Sequence, residues 1–204
     1  SSERSSLSSV DGEPVELPKT DHFGIFVTSE RSKPNLNPNN SKNASKQNKD
    51  SERALKWIEM QREWDIMTRQ KRGQKMLKRR ARKGIPDPVR GQMWQMLSGS
   101  KKMMSENIGL YTELLRSSVK VEGPIEEDIP RTMFDHEMFI KHSRLKGHSK
   151  LRNVLLAYGR RDREVQYCQG INYIAALFLI YMTEEEAFFM LLCVMSRQQA
   201  PLRE

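Results

Sequence analysis

The chain has 204 residues, 37% of them hydrophobic, and carries 35 Lys and Arg against 26 Asp and Glu, a formal net charge of +9. The low apolar share suits one domain with an unstructured tail better than two packed domains, and the charge favours acidic partners such as nucleotide phosphates, nucleic acid or an anionic membrane face. Two cysteines, Cys168 and Cys193, build neither a disulfide framework nor a zinc cluster, which points to a reducing compartment.

Residues 1–50 are rich in Ser, Asn, Lys and Pro and bury too little apolar surface to offset the entropy of ordering, so a disordered tail is expected there. The opening Ser-Ser-Glu-Arg-Ser-Ser lacks the basic region and apolar core of a signal peptide, consistent with a cytoplasmic location. Inside the tail, Asp21-His22-Phe23-Gly24-Ile25-Phe26-Val27 forms an apolar island that either docks on the domain or a partner, or stays unused.

Residues 51–83 hold no Pro and one Gly, and Trp57, Met60, Trp64 and Met67 recur at spacings of three, four and three. The spacing predicts one basic amphipathic helix leading into the domain, its aromatic stripe packed on something larger. Its end, from Lys71-Arg72 to Lys78-Arg79-Arg80-Ala81-Arg82-Lys83, is strongly basic. Peripheral membrane association through this helix is one reading and a solvated face is the other; with no aromatic or base-reading pattern interleaved, specific nucleic-acid binding is not expected.

Gly84 ends that helix, Asp87 is a good N-cap and Pro88 fits the first helical position, so a helix is expected to about Leu97, with Val89, Met93 and Met96 on one face. Arg90 and Trp94, four apart, are expected to stack. A further helix carries Met104, Ile108, Tyr111 and Leu115 in register. After Gly123-Pro124, Asp128 and Arg131 stand three apart, so the carboxylate can orient the guanidinium outward or simply form a local ion pair. Ser149 is read as the cap of a helix bearing Leu151, Val154, Leu155 and Tyr158. His136, His142 and His148, six apart, suit no helical metal face.

Val165-Gln166-Tyr167-Cys168-Gln169-Gly170-Ile171-Asn172 joins a charged loop to an apolar run over 171–182, predicted to be a helix buried on every side; at under about 20 residues it is too short to span a membrane. A Gln before a Gly at the mouth of such a helix can hold an amide rigidly over a ligand. Thr183 and Glu186 predict a capping box for the last helix, 184–196. Alternating strand patterns are nearly absent, so the fold class is all-α.

Gly84-Ile85-Pro86 with Arg90 and Trp94, then Ile125-x-x-Asp128-x-x-Arg131, then Tyr167-Cys168-Gln169-Gly170 resemble, in order and at comparable intervals, the three signature motifs of the TBC domain, the Rab GTPase-activating domain. The stretch around Phe23-Gly24 resembles a short segment upstream of some members. The resemblance implies an all-α TBC-type domain over 84–204, corresponding to its amino-terminal part and truncated on the C-terminal side. It implies an activator of a Rab-family GTPase in vesicle trafficking, cytoplasmic and peripheral on endomembranes. Arg131 matches the arginine finger and Gln169 the glutamine finger, with Tyr167, Asp128, Arg90 and Trp94 in supporting roles. No cofactor of its own is implied: GTP and Mg²⁺ arrive bound to the partner GTPase. Gln166 departs from the pattern, standing where the family usually carries Gly, with nothing in the sequence calling for a positive φ there. Without the second half of a family domain, a non-catalytic GTPase-binding or interaction module is the alternative.

Overall fold

A computed structural model describes residues 20, 24–25, 40–121, 123–140 and 143–196, with the backbone alone for 40–48. Ten α-helices and one 3₁₀ turn are found among them, with one isolated β-bridge pairing Ile25 with His136. The all-α class is as expected.

The single helix expected over 51–83 is three: α1 (Asn40–Arg62), α2 (Trp64–Arg69) and α3 (Lys71–Ala81). The Thr68 hydroxyl donates to the Trp64 carbonyl at 2.9 Å, inside the turn that ends α2, and Gln70 is extended with ψ 133. The fold-back is close enough that a Cβ on Gly73 would lie 2.3 Å from the Met67 carbonyl oxygen. The lone Gly therefore marks a helix corner. At its other end α1 starts at Asn40, eleven residues before the expected boundary, just after the last Pro of the segment; a helix once nucleated extends at little cost through polar residues. The rest of the expected tail, 1–39, lies outside the described residues apart from 20 and 24–25. Of the apolar island, Gly24 and Ile25 are described and dock on the domain, the Glu137 N–H donating to the Gly24 carbonyl at 2.7 Å.

Trp57, Met60 and Leu77 bury themselves against Val89 and Met93 of α4 (Asp87–Ser98), making the smaller of two cores. Pro86, one residue earlier than expected, is the N-cap of α4, and Asp87 is its first residue. The next expected helix is two, α5 (Ser100–Glu106) and α6 (Leu110–Arg116), separated at Gly109 with φ 83. Ile108, placed on the buried face by its register, is 90% exposed in that break.

The larger core surrounds α8 (Gly147–Arg161), whose Leu151, Val154, Leu155 and Tyr158 are wholly buried, as the spacing predicts. Ser149 lies inside its first turn and is not its cap; Lys146, at φ 54, occupies that place. Packed on α8 are α6, α9 (Ile171–Tyr181) and α10 (Glu184–Met195). The Glu184 carboxylate accepts from Tyr111 Oη at 2.6 Å and Asn153 Nδ2 at 2.9 Å, tying α6, α8 and α10 together. The Thr183–Glu186 capping box opens α10. Contrary to the all-round burial expected, α9 exposes Tyr173 and Leu177, because α4, α8 and α10 cover only part of its circumference.

The α4–α9 crossing is tight at Gly91, where a Cβ would meet the Tyr181 carbonyl oxygen at 2.3 Å. Gly91→Ala is therefore expected to destabilise the fold by about 1–3 kcal/mol through overpacking, against the gain of up to about 1 kcal/mol that Ala gives in an open helix. Urea unfolding of the two proteins checks the sign.

Candidate functional site

The short helix α7 (Ile125–Asp128) runs straight into the 3₁₀ turn Ile129–Arg131. Pro130 sits in that turn, where its missing N–H costs no helical hydrogen bond. Ile125 and Ile129, four apart, anchor one face in the larger core and bring Asp128 inside with them. Arg131, at the end of the turn, keeps its side chain 54% exposed while Asp128 is fully buried.

A buried carboxylate is costly unless several donors meet it. Asp128 Oδ1 accepts from Arg131 Nη2 and Oδ2 from the Tyr167 hydroxyl. Burial by itself raises the Asp128 carboxyl, but the bonds from Tyr167 and Arg131 outweigh it and hold the group below the usual carboxylate range. Burial and the same carboxylate push the Tyr167 phenol upward, so its proton stays in place as a donor. The Asp128–Arg131 pair is thus more than a surface ion pair: its acidic member is locked from inside, and its basic member points out.

The same unit reaches the third motif through main-chain and side-chain bonds. The Thr132 hydroxyl donates to the Asp128 carbonyl at 2.7 Å, Asn172 Nδ2 donates to Thr132 Oγ1 at 2.7 Å, and the Gly170 N–H donates to Asn172 Oδ1 at 3.0 Å. Thr132 and Asn172 are buried. Gly170, at φ 104, is the residue before α9, and Gln169 is exposed on the turn just ahead of it. Arg131 therefore stands at one end of a series of bonds through Asp128, Thr132 and Asn172 whose other end is the Gly170 N–H, next to Gln169. The sequence reading did not assign Thr132 or Asn172 to the site; the signal was Asn172 itself, the single polar residue opening an apolar run, which burial obliges to find partners.

Arg90 and Trp94 are not brought to this cluster. Arg90 donates to the Ile85 carbonyl at 2.9 and 3.1 Å, pairs with Asp87, bonds the Tyr181 hydroxyl and lies 5.0 Å over the Tyr181 ring. Its expected stacking partner, Trp94, instead meets Phe178 and Tyr181 edge-on. Both clamp α4 to the C-terminal end of α9, about 15 Å along that helix from Gly170. No cluster of three metal-ligating side chains occurs among the described residues, and His142 lies outside them.

The family model of the Rab-GTPase-TBC domain matches residues 87–202. The chain belongs to the TBC family. It is 36% identical over 148 residues to the human protein named growth hormone-regulated TBC protein 1, an alignment covering 71% of this chain and 43% of that protein. The chain thus spans less than half the length of this TBC relative.

Within the TBC framework the one departure at the third motif has a structural consequence. Gln166 adopts φ 51, the left-handed conformation that Gly reaches without strain, so the position where the family usually has Gly does call for a positive φ in this chain. The loop accepts Gln because Asp162 holds it from below: the Asp162 carboxylate accepts from the N–H groups of Glu164 and Val165 and from Tyr158 Oη, and its carbonyl accepts from the Gln166 N–H at 2.8 Å. Gln166→Gly is expected to be more stable than Gln166→Ala by about 1 kcal/mol, the reverse of their order in a helix. Chemical unfolding of the two variants measures the difference.

Proposed function

We propose that this chain accelerates GTP hydrolysis by a Rab-family small GTPase, supplying Arg131 and Gln169 in trans. The observation that supports the reading is the buried Asp128 unit, which holds an exposed guanidinium at one end of a hydrogen-bonded chain and the Gln169–Gly170 turn at the other. Hydrolysis is limited by charge building on the transferring phosphoryl group and by the placing of the attacking water. The fork of Arg131 can span two phosphate oxygens, and the Gln169 amide both accepts from and donates to a water. GTP and Mg²⁺ come with the partner. Phe134 and Tyr173, exposed near Arg131, give the partner an apolar edge to rest on.

Single-turnover hydrolysis by a panel of GTP-loaded Rabs, with and without the chain and with Arg131→Ala as control, tests the proposal. Acceleration that the variant abolishes supports it and identifies the substrate. A second reading is a non-catalytic module that binds a GTPase through the exposed edge at Phe134 and Tyr173. A folded chain that binds a GTP-loaded Rab without accelerating hydrolysis would replace the first reading with the second.

A further inference from the structure

Two grooves flank the junction of α1, α3 and the turn at Lys83-Gly84, and their chemistry differs. The larger, about 840 Å³, is lined by Asp50 and Asp87 as well as Arg53, Lys83 and Arg90, with Ala54, Ile85 and Pro86 on its walls; its charges are already mixed. The smaller, about 350 Å³, is lined by Arg53 and Lys56 of α1, Arg79 and Arg80 of α3, Lys83 and the edge of Trp57, with no carboxylate. Its volume lies within the range of about 300–1,000 Å³ typical of small-ligand sites.

We infer that the smaller groove binds a multiply phosphorylated headgroup of the inositol phosphate class, carried on a lipid or free. Five cations from three segments converge on it, and among the described ion pairs none involves Lys56, Arg79, Arg80 or Lys83. Like charges this crowded repel one another unless an anion joins them. The helix dipole explains part of the cluster, since Arg79 and Arg80 lie near the C-terminus of α3 and Arg53 Nη2 donates to the Lys83 carbonyl at 2.9 Å. It does not explain Lys56 on the facing helix.

The walls are fixed before any ligand arrives. Trp57 and Leu77 are buried beneath them, and Arg80 Nη1 donates to the Lys56 carbonyl at 3.0 Å, pinning α3 to α1. Arg53 also pairs with Asp50 at 3.3 Å, whereas Arg80 has no ion pair among those described and keeps N–H donors beyond its bond to Lys56, in the planar fork that suits phosphate. Lys56, Arg79 and Lys83 are exposed cations around the rim. This narrows the basic-helix expectation to a concave site with a stated ligand chemistry.

The test uses the 204-residue chain and no GTPase, so its failure is separate from that of the catalytic reading. Binding is measured to soluble inositol hexakisphosphate by calorimetry, and to phosphatidylcholine vesicles doped either with a bisphosphorylated phosphoinositide or with phosphatidylserine at equal total charge. Saturable binding to the soluble probe, or to phosphoinositide vesicles in preference to phosphatidylserine ones, is expected; the arm that binds more tightly identifies the source. Arg79→Ala/Lys83→Ala is expected to weaken it by about thirtyfold, at about fivefold per basic side chain. Lys71→Ala/Lys75→Ala removes the same charge from exposed positions of α3 outside the groove and is expected to leave binding within about twofold. Equal losses in the two double variants would show diffuse surface charge and overturn the site. So would the absence of saturable binding by a chain with a cooperative melt, or displacement of the probe by duplex nucleic acid at equal phosphate concentration.

Discussion

Arg131→Ala is expected to lower stimulated GTP hydrolysis by about 10³–10⁵-fold, the range that an arginine finger contributes to GTPases. The size of the effect follows from when the guanidinium acts. Half-exposed in the free chain and paired on its inner side with Asp128, it gains most when negative charge spreads over the phosphoryl oxygens, which is a property of the transition state and not of bound GTP. A purely structural role would give a different pattern. Removing the side chain takes from the buried Asp128 carboxylate one of its two side-chain donors, so Arg131→Ala also costs some stability, and a fall in activity could be attributed to unfolding. Arg131→Lys separates the two. It keeps a positive charge next to Asp128, and its melt should follow that of the parent, yet an ammonium cannot bridge two phosphate oxygens as the fork does. Activity lost by orders of magnitude with an intact melt in Arg131→Lys is the expected result. A loss under tenfold in Arg131→Ala would sink the assignment.

The fold was legible wherever burial and periodicity agreed. The spacing of Leu151, Val154, Leu155 and Tyr158 picked out the central helix, and Thr183 with Glu186 placed the start of α10, because a side-chain period and a cap are both written locally. The breaks were harder. A helical register runs unbroken from Trp57 to Met67 and from Met104 to Leu115, and what interrupts each is a backbone event with a weak sequence trace: a non-helical Glu63 (φ -106, ψ 23) in one case and a left-handed Gly109 in the other, while the fold-back that Gly73 permits comes just beyond Met67. Periodicity carries information about which face is buried, not about whether the axis continues.

The site was legible as motifs but not as a connected object. Asp128 and Arg131 are close in sequence, so their pairing could be anticipated; the links from Asp128 to Tyr167 and from Thr132 to Asn172 cross about forty residues of chain, where no local spacing signals contact. Arg90 and Trp94 show the opposite failure. Their motif holds together, with Arg90 on the Ile85 carbonyl, but these two residues serve the far end of α9 and not the Asp128 cluster. Gln166 stood out as a departure from the family pattern, but its positive φ was not anticipated, because a side chain does not advertise φ.

Gln169→Ala should lower stimulated hydrolysis by about 10²–10³-fold, the cost of removing one preorganised group aimed at a developing charge or an attacking water. Gln169 is exposed, so truncating its side chain leaves no buried group unpaired and the melt should not change. The turn that carries it is set by other atoms: the Ile171 N–H donates to the Cys168 carbonyl at 3.2 Å, the Gly170 N–H to Asn172, and Gly170 itself takes φ 104. With the turn intact and the amide gone, a transition-state mimic such as the GDP–aluminium fluoride complex of the GTPase should still bind through Arg131, but more weakly. Gln169→Glu sharpens the inference. A carboxylate still accepts from water but no longer donates, and it adds negative charge facing a phosphoryl group, so it should be at least as impaired as Ala. Asn172→Ala tests the same amide from beneath: it removes the partner that fixes the Gly170 N–H and leaves the Thr132 hydroxyl without a donor. If Gln169 works only when its turn is held, Asn172→Ala lowers activity in a folded protein although Asn172 never meets the nucleotide. Wild-type rates in Gln169→Ala would leave Arg131 as the sole finger and remove the reason for linking the two motifs.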